Sequence, residues 1–243
     1  MVHQLYKNTA KSKKAMFTRL SQSLFETSIK SAYTRRFKEK GARAEGVFWS
    51  SWVSQTARFE QVLADMKAEF GSTSFCMADI GCGYGALFHY IQSTPAWRQI
   101  DYSGVDITPE MVSYCKREHT SHKHRFSLGR QPKHPVDFAV FVGTFNLCHT
   151  DDYELWEDYI LRQLAFSWAR VRYGLILNIT SLETAKINNH IFYVNPEAFA
   201  KKLASRFGAV SAAPTQFVPQ DTTFIICKEK HERHITKLRK AQR

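Results

Sequence analysis

Apolar residues along this chain recur at two different spacings, and the change between them falls near residue 75. Upstream, Met16, Leu20, Leu24 and Phe25 follow a helical spacing, and Phe59, Val62, Leu63 and Met66 share one face of a second helical stretch. Between them, "KGARAEGVFWSSW", with Gly41, Gly46, Trp49 and Trp52, reads as an irregular loop. Residues 1–70 are therefore expected to form an N-terminal helical cap or lid, 71–229 the core domain, and 230–243 a basic tail.

Downstream the pattern alternates. "SFCMADI" reads as a strand, Tyr84 to Ser93 as a helix, "DYSGVDI" as a strand, and "TPEMVSYCKREH" as a helix with Thr108 as its cap and Pro109 at its first position. "HRFSLG" is a third strand and "VDFAVFVGTF" a fourth, an almost unbroken apolar run that suits burial on both faces. Asp151 to Arg170 is helical, with Asp151 or Asp152 as cap, and "YGLILNITS" is a fifth strand. A helix from Pro196 to Phe207 precedes two closing strands, near Val210 to Val218 and Thr222 to Lys228, joined by a short "PQD" turn as an antiparallel hairpin. Strand and helix in alternation imply a mostly parallel, doubly wound sheet with helices on both faces.

Composition narrows the class. A chain of 243 residues, 44% hydrophobic and 14% aromatic, buries roughly 70–75% of its unfolded surface. No apolar run of about 18 residues and no apolar signal core appear, so neither a membrane span nor secretion is expected, and the expected compartment is the cytoplasm. Five cysteines without a C-x-x-C pair suit reduced thiols, with no metal site expected. The formal charge of +12 is concentrated in residues 7–43 and in the tail. Basic termini fit either nucleic-acid binding or plain solvation.

The chemistry centres on "DIGCGYGA". Gly81, Gly83 and Gly85 follow the first strand and lead into a helix, where a doubly wound sheet seats its cofactor. With Ala86 the run also fits the dinucleotide pattern G-x-G-x-x-G/A, so the glycines do not choose a ligand. Asp79, two residues before Gly81, would repel a pyrophosphate on the helix N-terminus but attract a cationic cofactor such as S-adenosylmethionine. Asp106, closing the second strand 21 residues after Gly85, is placed to accept ribose hydroxyls from either kind of cofactor. Ile107 can lie against an adenine or pack in the core.

"DIGCGYG", "GVDITPEM", "DFAVFVGTFN" and the hairpin-like end together resemble the class I S-adenosylmethionine-dependent methyltransferases over roughly Val47 to Glu229. That resemblance implies a Rossmann-like α/β fold with a mostly parallel seven-stranded sheet and an antiparallel C-terminal hairpin. It implies that Asp79 and Gly81 face the methionine part, that Gly83 allows close backbone approach, that Asp106 holds the ribose, and that Gly85, Gly143 and Thr144 border the cofactor. "GVFWSSWVSQTARFEQVL" is similar to the segment that precedes the glycine motif in some bacterial members, which implies Trp49 and Arg58 as further contacts; a core anchor and a surface charge are the alternatives.

The acceptor is expected beyond the fourth strand, at "GTFNLCHTDD", with Phe145 and Asn146 as substrate contacts and His149 as the candidate general base, since imidazole titrates near neutrality. This stretch is not the [N/D/S]-P-P-[Y/F] motif of many amine methylases. The long connection "SLETAKINNHIFYVNPEAF" is expected to add a substrate wall through Asn188, Asn189, His190 and Tyr193. The leading expectation is methyl transfer to oxygen or nitrogen of a small molecule. An RNA methyltransferase using the basic termini, a non-catalytic cofactor-binding scaffold and a nicotinamide oxidoreductase are the competing readings.

Overall fold

The computed structural model describes residues 22–71, 74–216 and 218–228. Met16, Leu20 and the basic tail lie outside the described residues.

Seven strands form one sheet in the order β3-β2-β1-β4-β5-β9-β8. They are β1 (Cys76–Ile80), β2 (Asp101–Asp106), β3 (Phe126–Leu128), β4 (Val136–Val142), β5 (Val171–Thr180), β8 (Ala209–Pro214) and β9 (Asp221–Cys227); β6 (Lys186–Asn188) and β7 (Ile191–Tyr193) pair separately. The first five strands of the sheet run parallel, and β9 lies antiparallel to both β5 and β8. The order reverses between β1 and β4, which opens a crevice beyond their carboxyl ends.

Period-two alternation builds both layers. In β4, Ala139 and Phe141 enter one core cluster while Phe138 and Val140 enter the other; in β9, Phe224 and Ile226 oppose Ile225 and Cys227. One face carries α2 (Trp52–Phe70), α3 (Ala86–Ser93) and α4 (Pro109–Glu118), and the other carries α5 (Tyr153–Trp168) and α6 (Pro196–Arg206). All four apolar residues assigned to one face of the second helical stretch are buried against the sheet, so α2 belongs to the core rather than to a cap. Ser51 caps α2 by accepting the Ser54 amide, and Gly71, at φ 69°, ends it.

The β3–β4 crossover, residues 129–135, contains no helix. Residues 22–40 are helical (α1) and take that space. Phe25 packs edge-on to Trp156 and Tyr159 of α5, Glu26 pairs with Arg130 of the crossover, and Thr34 donates to Glu110 of α4 at 2.9 Å. Helix α1 therefore runs across the carboxyl edge of the sheet and covers the crevice together with Val47, Trp49, Gln55 and Phe59.

Two local expectations are corrected. The loop before Trp52 contains a 3-10 turn, Ala44–Val47. Thr108 sits at the N-cap of α4, but its hydroxyl caps nothing; its amide instead donates to Asp106. The long connection after β5 folds into the β6–β7 hairpin, which also docks on the segment after β4 through Phe192 N–H to Asn146 C=O at 2.8 Å. Of the two acids offered as cap for α5, Asp152 accepts the Leu155 amide, and Asn195 caps α6 by accepting the Ala198 amide.

Candidate active site

The turn after β1 is held open by backbone geometry. Gly81 has φ 80°, and a Cβ there would stand 2.5 Å from Thr144 Cγ2, so this turn and the one after β4 approach as closely as only glycine permits. The Thr144 hydroxyl donates to Ile80 C=O at 2.8 Å, and Gly81 N–H donates to Val105 C=O at 2.7 Å. These bonds fix the floor of a cleft enclosing about 950 Å³ out to its mouth. Asp79, Gly81, Gly83, Asp106, Ile107, Trp49, Gly143, Thr144 and Phe145 all line it.

Two acids control its electrostatics. Asp106 closes β2 and accepts the amides of Gly83 at 2.9 Å and Thr108 at 2.7 Å. Burial pushes its carboxyl above the ordinary range against the pull of those amides. An ionised carboxylate has about four acceptor sites, so two amides leave capacity for the hydroxyls of a ligand. Asp79, 4% exposed, accepts the Tyr102 hydroxyl at 2.8 Å. Burial lifts its pKa to about 7, with the Tyr102 bond opposing and the Asp106 charge adding. A cation brought into the cleft would favour the ionised form of this acid.

Trp49 reaches the cleft because Arg58 stands behind it, the guanidinium carbon 4.5 Å from the ring centroid. Arg58 does not line the cleft: it is 7% exposed and grips Asp221 of β9 by a fork, Nη2 to Oδ1 at 2.9 Å, and donates to Ser54 C=O. It is a buried bolt between α2 and the sheet. Gly85, with φ 84°, is the N-cap of α3 and faces Cys115 and His119 instead of the cleft.

The remaining sequence candidates are placed elsewhere. Asn146 accepts the Thr180 amide at 3.1 Å, tying the β4 turn to the end of β5. Tyr193 pairs with Lys186 in the hairpin. His149 and His190 border a second cleft with Arg35, Phe48 and Cys148, on a neighbouring face of α1. His149 Nδ1 lies 2.8 Å from the Ser28 hydroxyl, Nε2 is buried without a partner, and burial followed by the His190 charge lowers its pKa. It is not brought together with the glycine turn.

Sequence reasoning missed Ile29 and Tyr33 of α1, Gln55, Tyr84, Arg130, and Tyr159 and Gln163 of α5, all of which line the cleft. The four-residue spacing in two of these pairs sets each pair on one helical face. Nothing local says that the face meets a cleft. Tyr84 donates to Gln55 at 2.8 Å and burial pushes its hydroxyl up to about 12; burial and the Asp106 charge push Tyr33 up as well.

The strand order and the reversed terminal hairpin are those of a Rossmann-like α/β fold, the fold of solved S-adenosylmethionine-dependent methyltransferases. No family model matches the chain. It is 27% identical over 157 residues to a Mycobacterium tuberculosis protein provisionally named a methyltransferase, covering 63% of this chain and 93% of that protein. Among solved structures it is similar to a Leishmania major S-adenosylmethionine-dependent methyltransferase (TM-score 0.57, 12% identity, 82% of each chain). It is also similar to the magnesium protoporphyrin IX methyltransferase of Synechocystis with bound S-adenosylmethionine (TM-score 0.54, 15% identity, 85% of this chain and 96% of that one).

Proposed function

We propose that this protein is an S-adenosylmethionine-dependent methyltransferase that modifies an oxygen or nitrogen of a small molecule. The observation that carries the reading is the pairing of Asp106 and Asp79 in one cleft with the glycine turn: one acid has acceptor capacity for a ribose, and the other, buried and poised near neutrality, suits a positive charge and opposes a pyrophosphate. In this reading Gly81 and Gly83 let the backbone approach the ligand, Ile107 meets the adenine, and Trp49, Gly143 and Thr144 close the wall. Phe145, with the aromatic rings of Tyr33 and Tyr84, faces the acceptor and excludes water. Bound there, the cofactor supplies an electrophilic methyl carbon to which the acceptor's lone pair bonds as the carbon–sulfur bond breaks. The chain's part is to align the acceptor with that carbon.

The aromatic lining of the cleft supports a flat, small acceptor, and the free cysteines support a cytoplasmic setting. No helix among the described residues is long and apolar enough to cross a membrane. Among them no group of three or more His, Cys, Asp or Glu side chains could hold a metal ion. The test is thermal unfolding with S-adenosylhomocysteine or NADH, followed by labelled S-adenosylmethionine offered with fractionated extract. Stabilisation by the first ligand and label in the small-molecule fraction support the proposal. A shift from NADH alone refutes it.

A second reading, methylation of RNA, draws support from a groove lined by Lys116, Lys123, His124, Lys133 and Arg170, which shares Gly129 and Arg130 with the cleft. RNA affinity falling steeply with salt, together with label in the RNA fraction, would favour it.

A further inference from the structure

Helix α5 places Tyr159 and Gln163 one turn apart on the face that closes the inner end of the cleft. Gln163 is 4% exposed, and its side-chain nitrogen has no hydrogen-bond partner. The cleft it lines is walled in part by Ile29, Phe141 and Phe145, which offer no polar side-chain group. Arg130 shares the wall, but a guanidinium has only donors, and it is committed to Glu26 at 3.1 Å. A buried carboxamide that served packing alone would be bonded within the fold.

The strand order says which part of a ligand lies here. If Asp106 on β2 holds a ribose and the turn after β1 holds the chain attached to its 5′ carbon, the base must extend the other way, toward β3. Gly129 and Arg130, directly after β3, line the cleft, and the Arg130 guanidinium carbon lies 5.7 Å from the ring centroid of Phe166, three residues along α5 from Gln163. A planar carboxamide with a donor and an acceptor side by side matches the amine and an adjacent ring nitrogen of adenine.

We infer that Gln163 is the residue that selects adenine, its Nε2 donating to a ring nitrogen and its Oε1 accepting from the exocyclic amine. The inference rests on the methyltransferase reading and assigns the base specificity of the same cleft to a helix residue remote from the glycine motif. It also accounts for the unpaired nitrogen: the partner arrives with the ligand.

The test is calorimetric binding of S-adenosylhomocysteine and of its analogue lacking the exocyclic amine, to the wild-type protein, Gln163→Leu and Gln163→Glu. The wild type should bind the parent ligand roughly tenfold more tightly than the analogue, and Gln163→Leu should weaken the parent about tenfold while bringing the two ligands to near equality. Ligand-free Gln163→Leu should melt at or above the wild type, because it removes an unpaired buried amide. If the leucine variant does not fold or melts well below the wild type, the glutamine is structural and the inference fails. Gln163→Glu keeps the shape and replaces the donor with an acceptor, so it too should lose about tenfold. Unchanged affinity in either variant, or an undiminished preference between the ligands in Gln163→Leu, overturns the inference and leaves the methyltransferase reading standing. Failure of the wild type to bind either ligand overturns both.

Discussion

Replacing Asp79 by Asn removes a charge from beneath the glycine turn while keeping the shape and an oxygen that can accept the Tyr102 hydroxyl. In the folded protein the Asp79 carboxyl is lifted from 3.8 to about 7, which at 1.36 kcal/mol per pKa unit disfavours its ionised form by about 4 kcal/mol. The sign follows from linkage. Below about pH 4 the acid is protonated in both folded and unfolded chains; between about 4 and 7 the unfolded chain releases its proton while the folded one retains it, so stability falls as pH rises through that window. Asn escapes this loss. Urea unfolding of the ligand-free proteins should give Asp79→Asn a gain of about 2–4 kcal/mol at pH 8 and well under half of that at pH 4.5. The ligand should reverse the preference. S-adenosylmethionine carries a sulfonium that S-adenosylhomocysteine lacks, so Asp79→Asn should weaken the first more than the second, and wild-type affinity for the first should rise with pH toward a plateau above 7. An equal stability gain at both pH values, with an unchanged affinity ratio between the two ligands, would refute the assignment of Asp79 to a cation.

Arg58→Ala should destabilise the protein by about 3–5 kcal/mol in urea, because Asp221, 1% exposed, would be left buried without its cation; Arg58→Lys should recover only part, since the fork is lost. Gly81→Ala should cost about 1–3 kcal/mol and depress S-adenosylhomocysteine affinity, as the new Cβ meets Thr144 at a backbone angle that alanine resists; a melting curve and a titration check it. His149→Ala should leave S-adenosylhomocysteine affinity unchanged and should lack the roughly 100-fold loss of turnover expected of a general base, because its ring borders a separate cleft. Asp106→Ala should weaken S-adenosylhomocysteine by about tenfold or more in the same titration, and wild-type affinity would remove it from the ribose.

The alternating strands and helices were legible because the central strands send alternate residues into the two core layers, and Phe138 to Phe141 could hardly lie anywhere but between them. The glycine turn and Asp106 were legible for a different reason: they lie next to strand ends that the apolar pattern already marked. Arg58 was not. Its partner, Asp221, is 163 residues away, and a buried fork between α2 and β9 leaves no local trace in either segment. The β6–β7 hairpin turns at Asn189 and His190, both with positive φ, and without a glycine there the turn gave too weak a signal. His149 looked catalytic because it follows β4 closely in sequence; in the fold it borders a separate cleft with Ser28 and Ala32 of α1.

The path of α1 has a consequence for the order of events as the chain folds. The sheet can complete its hydrogen bonding without α1, although Phe25 of the helix joins one core, whereas the helix reaches its seat through partners far along the chain: Glu26 to Arg130 across 104 residues and Ser28 to His149 across 121. Contacts of such long range repay their loop-closure cost last. Residues 22–40 should therefore exchange their amide hydrogens sooner than β4 and β5, and a ligand that touches both Tyr33 and Asp106 should slow that exchange. Among the described residues, the roof of the cleft would then open ahead of the sheet, and a bound ligand would hold it closed.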